Sequence, residues 1–129
     1  MLLRLFPGPP GSRCVVIGTP RGEWHEFGAL LVALVAGSHG WRVVYLGANL
    51  PPGEIATAAR RVQPDKMLIS WVCAEPEDTL GELAKLRQQL PAAVTLLVGG
   101  RQAQAPEQLP PRIIRARDLS HLEHRLAFG

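Results

Sequence analysis

Five runs of nearly continuous apolar residues, each only five to seven long, are separated by segments with helical spacing. Such runs are too short for helices and too uniformly apolar for strands with one wet face, so they read as strands buried on both sides. They fall at residues 14–18 (CVVIG), 41–47 (WRVVYLG), 66–71 (KMLISW), 94–100 (VTLLVGG) and 112–116 (RIIRA). Strands alternating with helices imply a parallel sheet covered on both faces, and right-handed crossovers leave few topologies. The expected fold is an α/β, flavodoxin-like (Rossmann-like) three-layer sandwich with a five-stranded parallel sheet in the order 2-1-3-4-5.

The helical segments carry their own start and stop signals. Phe27, Leu30, Leu31, Leu34 and Val35 follow helical spacing and are expected to form a core-facing stripe that ends at Gly37–Gly40. Pro51–Pro52 opens a second helix with Ile55, Ala58, Ala59 and Val62 on one stripe. Glu75, Glu77 and Asp78 put negative charge at the start of a third, whose apolar face is Leu80, Leu83, Leu86 and Leu90. A short loop or one-turn helix is expected near residues 106–109, and Asp118 is the cap of a last helix bearing Leu119, Leu122 and Leu126. Residues 1–12, with a Pro/Gly-rich end, read as a leader or linker, and residues 13–129 as one domain.

Composition excludes several classes. With 47% hydrophobic and 19% charged residues the chain is neither disordered nor membrane-spanning. A net charge of +3 without a basic run gives no reason to expect direct nucleic-acid binding. Cys14 and Cys73 lack metal-binding or redox spacing and read as reduced cysteines of a cytoplasmic protein.

In a sheet of this order, ligands bind beyond the carboxyl ends of the strands, near the switch between strands one and three. The unusual residues fall there: Glu23, Trp24, His25 and Gly28 after strand one, Ser70 and Val72 at the end of strand three, Gly99 and Gly100 at the end of strand four. There is no phosphate-binding G-x-x-x-x-G-K-[ST], no G-x-G-x-x-G and no nucleophile elbow. A zinc site would need more donors, since His39 lies at the opposite edge of the sheet and His121 and His124 near the last helix. What remains is one loop histidine with a carboxylate two residues before it. A neutral imidazole is a good transition-metal ligand, and a carboxylate on its other nitrogen fixes the tautomer. One such ligand holds a bare metal poorly, but it suffices where a macrocycle fills the other positions.

The EWHEFG of residues 23–28, the SWV of residues 70–72 and Gly99–Gly100 together resemble the cobalamin-binding domain family, whose pattern is D-x-H-x-x-G, then S-x-L, then G-G. The step of 42 from Gly28 to Ser70 fits, and the likeness spans residues 13–102. Glu23 stands where Asp is usual and Val72 where Leu is usual. The Glu variant resembles the MerR-class, light-responsive cobalamin-dependent transcriptional regulators more than methyltransferases or mutases.

The resemblance implies cobalamin, as adenosylcobalamin or methylcobalamin, bound base-off with His25 as the lower axial cobalt ligand. It implies that Glu23 orients His25, that the nucleotide tail threads between strands one and three, and that Gly28, Ser70, Gly99 and Gly100 leave room for it while Val72 packs on it. Trp24 and Trp71 are candidates to flank the corrin, and Arg21 and Arg101 to meet its amides or phosphate. No residue is equipped to act on a substrate alone. The implied role is a sensor or regulatory module, with self-association or a partner domain covering the upper corrin face. The alternative is the cobalamin-carrying subunit of a methyltransferase or carbon-skeleton mutase.

Overall fold

A computed structural model describes residues 3–128. The chain runs β1 (Leu3–Phe6), β2 (Cys14–Pro20), α1 (Phe27–Ser38), β3 (Arg42–Leu50), α2 (Pro52–Val62), β4 (Lys66–Ser70), α3 (Pro76–Gln89), β5 (Thr95–Gly99), a one-turn 3₁₀ helix (Gln102–Gln104), β6 (Ile113–Arg115) and α4 (Leu119–Phe128). The sheet order is β1-β3-β2-β4-β5-β6. The five parallel strands β2 to β6 therefore take the expected order 2-1-3-4-5. β2 sits centrally, with Ile17 opposite Tyr45 of β3 on one side and Leu68 of β4 on the other.

Part of the segment read as a leader adds a sixth strand: β1 pairs antiparallel with β3, Leu3 opposite Tyr45 and Arg4 opposite Val44. It covers what would otherwise be an open edge of the parallel sheet. Residues 106–109 form a short loop, one of the two alternatives expected there, and a one-turn 3₁₀ helix precedes it at Gln102–Gln104, directly after β5.

The period of two along each strand sorts the core into two layers. Val15 and Ile17 face α1 and α4 together with Val43, Tyr45, Leu68 and Leu97, whereas Cys14 and Val16 face α2 and α3 with Val44, Met67, Ile69 and Leu96. The stripes of α2 and α3 bury much as expected: Ile55, Ala58, Ala59 and Val62 on one, Leu83, Leu86 and Leu90 on the other. Arg87 is also buried, where its guanidinium donates to the carbonyls of Val94 and Pro91 at 2.7 Å each and ties α3 to the start of β5.

Helix α1 turns the other way from expectation. Its buried residues are Ala29, Val32, Ala33 and Ala36, while Phe27 is 81% exposed, Leu34 59%, and Leu30 and Leu31 also face outward. The sequence FGALLVALVAGS is apolar on every side, so spacing alone does not select a face. The small face goes in because it brings the helix close to the sheet. Gly37 shows how close: an added Cβ would lie 2.6 Å from the ring of Phe6.

Candidate functional site

The loop between β2 and α1 is built around Glu23, a carboxylate with no solvent exposure. Oε1 accepts backbone N–H bonds from Val72 (2.6 Å), Cys73 (2.6 Å) and Ala74 (3.1 Å) in the loop after β4. Oε2 lies 3.0 Å from His25 Nδ1 and accepts the His25 backbone N–H at 3.3 Å. Burial pushes the Glu23 carboxyl up, but the amides of Cys73, Ala74 and Val72 and the His25 ring outweigh it and hold the group below its ordinary value. Glu23 is thus an anion with its partners already in place.

The backbone around it is fixed as firmly. The Glu23 carbonyl accepts from Thr19 Oγ1 at 2.8 Å and from the Asn49 N–H at 3.0 Å, and Asn49 Oδ1 accepts from the Gly22 N–H at 2.8 Å. Asn49 sits at φ 59°, a conformation asparagine tolerates better than most residues. At the start of α1, the Tyr45 hydroxyl donates to Glu26 Oε1. With Nδ1 engaged by Glu23, the exposed His25 ring keeps Nε2 for a ligand.

Beside this loop lies a cleft of about 330 Å³, within the usual range of small-molecule sites. Gly28, Leu31 and Val32 of α1 form one wall and Leu119 and Leu122 of α4 the opposite one. Leu68, Ser70, Val72, Gly99, Gly100 and Ala116 form the floor at the ends of β4, β5 and β6, and Arg101, Gln104, Arg117 and Asp118 rim it. The crevice was expected between strands one and three, that is, between β2 and β4. The space lies one strand further on, over the ends of β4, β5 and β6.

The three glycines differ in what they do. An added Cβ at Gly28 would sit 3.7 Å from Ser70 Oγ and one at Gly99 3.5 Å from Ala116 Cβ, both ordinary contacts, so their smallness leaves volume in the cleft. Gly100 is required by the fold itself: it has φ +103°, and a Cβ there would lie 2.3 Å from the Trp71 carbonyl oxygen.

Residues 13–117 match the model of the family described as the B12 binding domain. The chain belongs to that family. This B12-binding domain is 31% identical over 96 residues to the HTH-type transcriptional repressor CarA of Myxococcus xanthus, covering 74% of this chain and 33% of CarA. It is 34% identical over 92 residues to the repressor CarH of the same organism, covering 70% of this chain and 31% of CarH. The chain therefore spans about a third of the length of these relatives. In fold it is similar to the methanol:cobalamin methyltransferase complex MtaBC of Methanosarcina barkeri, at TM-score 0.69 and 17% identity over 90% of this chain and 47% of that one.

Of the residues singled out in the sequence, Gly28, Ser70, Val72, Gly99 and Gly100 of this B12-binding domain line the cleft, while Glu23 and His25 meet outside its lining, joined to it through the Val72 N–H that Glu23 accepts. Trp24 is 70% exposed beside His25. Trp71 does not flank the cleft: it is wholly buried in the α2/α3 layer, with its indole N–H on the Ala74 carbonyl at 2.8 Å. Arg21 is committed to Glu82 at 2.6 Å, whereas Arg101 is on the rim. Leu31, Leu119, Gln104, Arg117 and Asp118 were not anticipated. The rule that ligands gather at strand ends, carried on to β6, would have pointed to the last two.

Proposed function

We propose that this domain binds cobalamin base-off, with His25 Nε2 as the lower axial ligand of cobalt and the displaced nucleotide tail in the cleft between α1 and α4. The observation that carries the reading is the buried Glu23 carboxylate on His25 Nδ1, beside a cleft lined by Gly28, Ser70 and Gly99. That carboxylate fixes the tautomer and makes the free nitrogen a better donor. In this reading Ser70 offers its hydroxyl to a ring nitrogen, Val72 and Leu31 cover the apolar faces of the tail, and Arg101 and Arg117 meet its phosphate; that all five line the cleft supports it. Burying about 200 Å² of apolar tail contributes roughly 5 kcal/mol, against about 8 kcal/mol for micromolar binding. When bound, cobalamin would supply the chemistry of its cobalt–carbon bond.

The role we propose is a sensor or regulatory module of the cytoplasm, coupled to transcriptional or light-dependent control, with adenosylcobalamin or methylcobalamin as cofactor. The repressors CarA and CarH support this reading over the enzymatic one, and no nucleic-acid contact by the domain itself is needed. Among the described residues no helix is long and apolar enough to cross a membrane. The outward apolar band of α1, Phe27, Leu30 and Leu34, supports self-association or a partner domain that covers the upper corrin face. The second reading, a cobalamin-carrying subunit of a methyltransferase or mutase, draws on the fold shared with MtaBC.

Titration with hydroxo-, methyl- and adenosylcobalamin, in the dark and in light, tests the proposal. Wild type takes up one cobalamin with a base-off, histidine-on spectrum, and His25→Ala loses that spectrum while keeping partial binding. An unchanged spectrum in His25→Ala refutes the ligand assignment.

A further inference from the structure

The loop after β4 brings a second metal donor to His25. Ligand atoms of Glu23, His25 and Cys73 all lie within 4.8 Å of one another, although Cys73 is 48 residues from His25 in sequence. One buried group organises both exposed donors: the Glu23 carboxylate holds the His25 ring through Nδ1 at 3.0 Å and the Cys73 backbone N–H at 2.6 Å. We infer that His25 and Cys73, positioned by Glu23, form a site for a bare Zn²⁺-class ion, and that occupancy by this ion and by cobalamin exclude each other.

The chemistry of the donors selects the class of ion. Imidazole nitrogen with thiolate sulfur suits zinc and other borderline or soft metals, whereas magnesium and calcium want oxygen ligands. Metal–ligand bonds of about 2.0 Å to nitrogen and 2.3 Å to sulfur put the two donors about 3.5 Å apart in a tetrahedral site. Cys73, whose side chain is exposed, closes to that distance by rotation while the His25 ring stays on Glu23. As the metal–sulfur bond forms, the thiol proton passes to solvent. Solvent supplies the remaining ligands, because His25 and Cys73 both face it. Exclusion follows from electron count: with Nδ1 engaged by Glu23, His25 has one lone pair, on Nε2, and it can serve zinc or cobalt but not both. The ion site stands without the cobalamin reading; only the competition rests on it.

The test is titration of the metal-free chain with ZnCl₂ against a chromophoric chelator, and with CoCl₂ to read the ligands. We expect one ion per chain. A thiolate-to-Co²⁺ charge-transfer band should appear in wild type and vanish in Cys73→Ser. Zinc should bind at least tenfold more weakly to Cys73→Ser and to His25→Ala. Cys73→Ser should still take up cobalamin, and equimolar zinc should slow that uptake in wild type but not in the variant. Absence of micromolar zinc binding, or equal affinity in both variants from an adventitious ion elsewhere, overturns the site. If zinc binds as expected while His25→Ala keeps an unchanged cobalamin spectrum, the site stands and the cobalt-ligand assignment fails.

Discussion

The carboxylate of Glu23, wholly buried, lies 3.0 Å from Nδ1 of His25, a ring left largely in solvent. The same carboxylate gathers the three successive amides of Val72, Cys73 and Ala74. One side chain thus locks the loop after β4 onto the loop after β2 and aims the imidazole outward. Local structure and ligand geometry are coupled through this residue.

Glu23→Gln should therefore be costly to the fold. An amide offers one acceptor oxygen and two N–H donors that face other donors, so charge-assisted hydrogen bonds are lost in a buried place. We expect a loss of about 2–3 kcal/mol in urea denaturation, together with a smaller histidine-on fraction in the cobalamin spectrum. Equal stability of variant and wild type would contradict the role given to the carboxylate.

Gly28 and Gly100 should respond oppositely. Gly28→Ala adds a methyl group at an ordinary contact distance in the first turn of α1, so stability should hold or rise by up to about 1 kcal/mol. Cobalamin affinity should fall, because the methyl group enters the cleft. Gly100→Ala should unfold the domain more readily, since its Cβ meets the Trp71 carbonyl and the backbone stays at positive φ. Thermal melts and cobalamin titrations of the two variants check both statements.

The apolar band on α1 should not be core. Replacing Phe27 and Leu34 together with Gln should change folding stability by less than about 0.5 kcal/mol each, as for surface positions. The same double variant should reduce self-association measured by sedimentation. A loss of several kcal/mol would show that this face is packed inside the domain.

Lys66 is 1% exposed, with its ammonium 2.8 Å from the Arg125 carbonyl oxygen. Burial first, then the charges of Arg125 and Arg13, lower its pKa from 10.5 to about 8, against the opposing pull of Asp65. Below pH 8 both folded and unfolded chains carry the proton, and the buried charge weakens the fold in full. Between about 8 and 10.5 the unfolded chain binds more protons, so stability rises with pH. Lys66→Met should therefore be more stable than wild type at pH 7, by on the order of 2 kcal/mol. That advantage should shrink as the pH approaches 10. Urea denaturation of both proteins across this range measures it.

Strand order and most helix limits were legible because they follow from apolar runs, prolines and acidic first turns, all local signals. The face that α1 buries was not. A helix apolar on every side carries no periodic contrast, and the choice between Ala29/Ala33/Ala36 and Leu30/Leu34 is made by how near the sheet lies. The strand at Leu3–Phe6 was hidden for a similar reason: it exists only because β3 offers an open edge. At the site, the Glu23–His25 pair could be read from two positions of one loop, two residues apart. The partners of Glu23 could not, because they are backbone N–H groups in the loop after β4, and such groups leave no mark in sequence. That Cys73 comes within 4.8 Å of Glu23 and His25 was not legible either, because linear spacing does not show a loop brought back to β2.

The central claim is the bond between His25 and cobalt, and electron paramagnetic resonance of cob(II)alamin bound to protein carrying ¹⁵N-histidine tests it most directly. Ligation by His25 turns the nitrogen splitting from triplets into doublets, and His25→Ala removes the doublets. Triplets that persist in the ¹⁵N-labelled protein would mean that the cofactor's own base is still on the metal, and the account would be wrong.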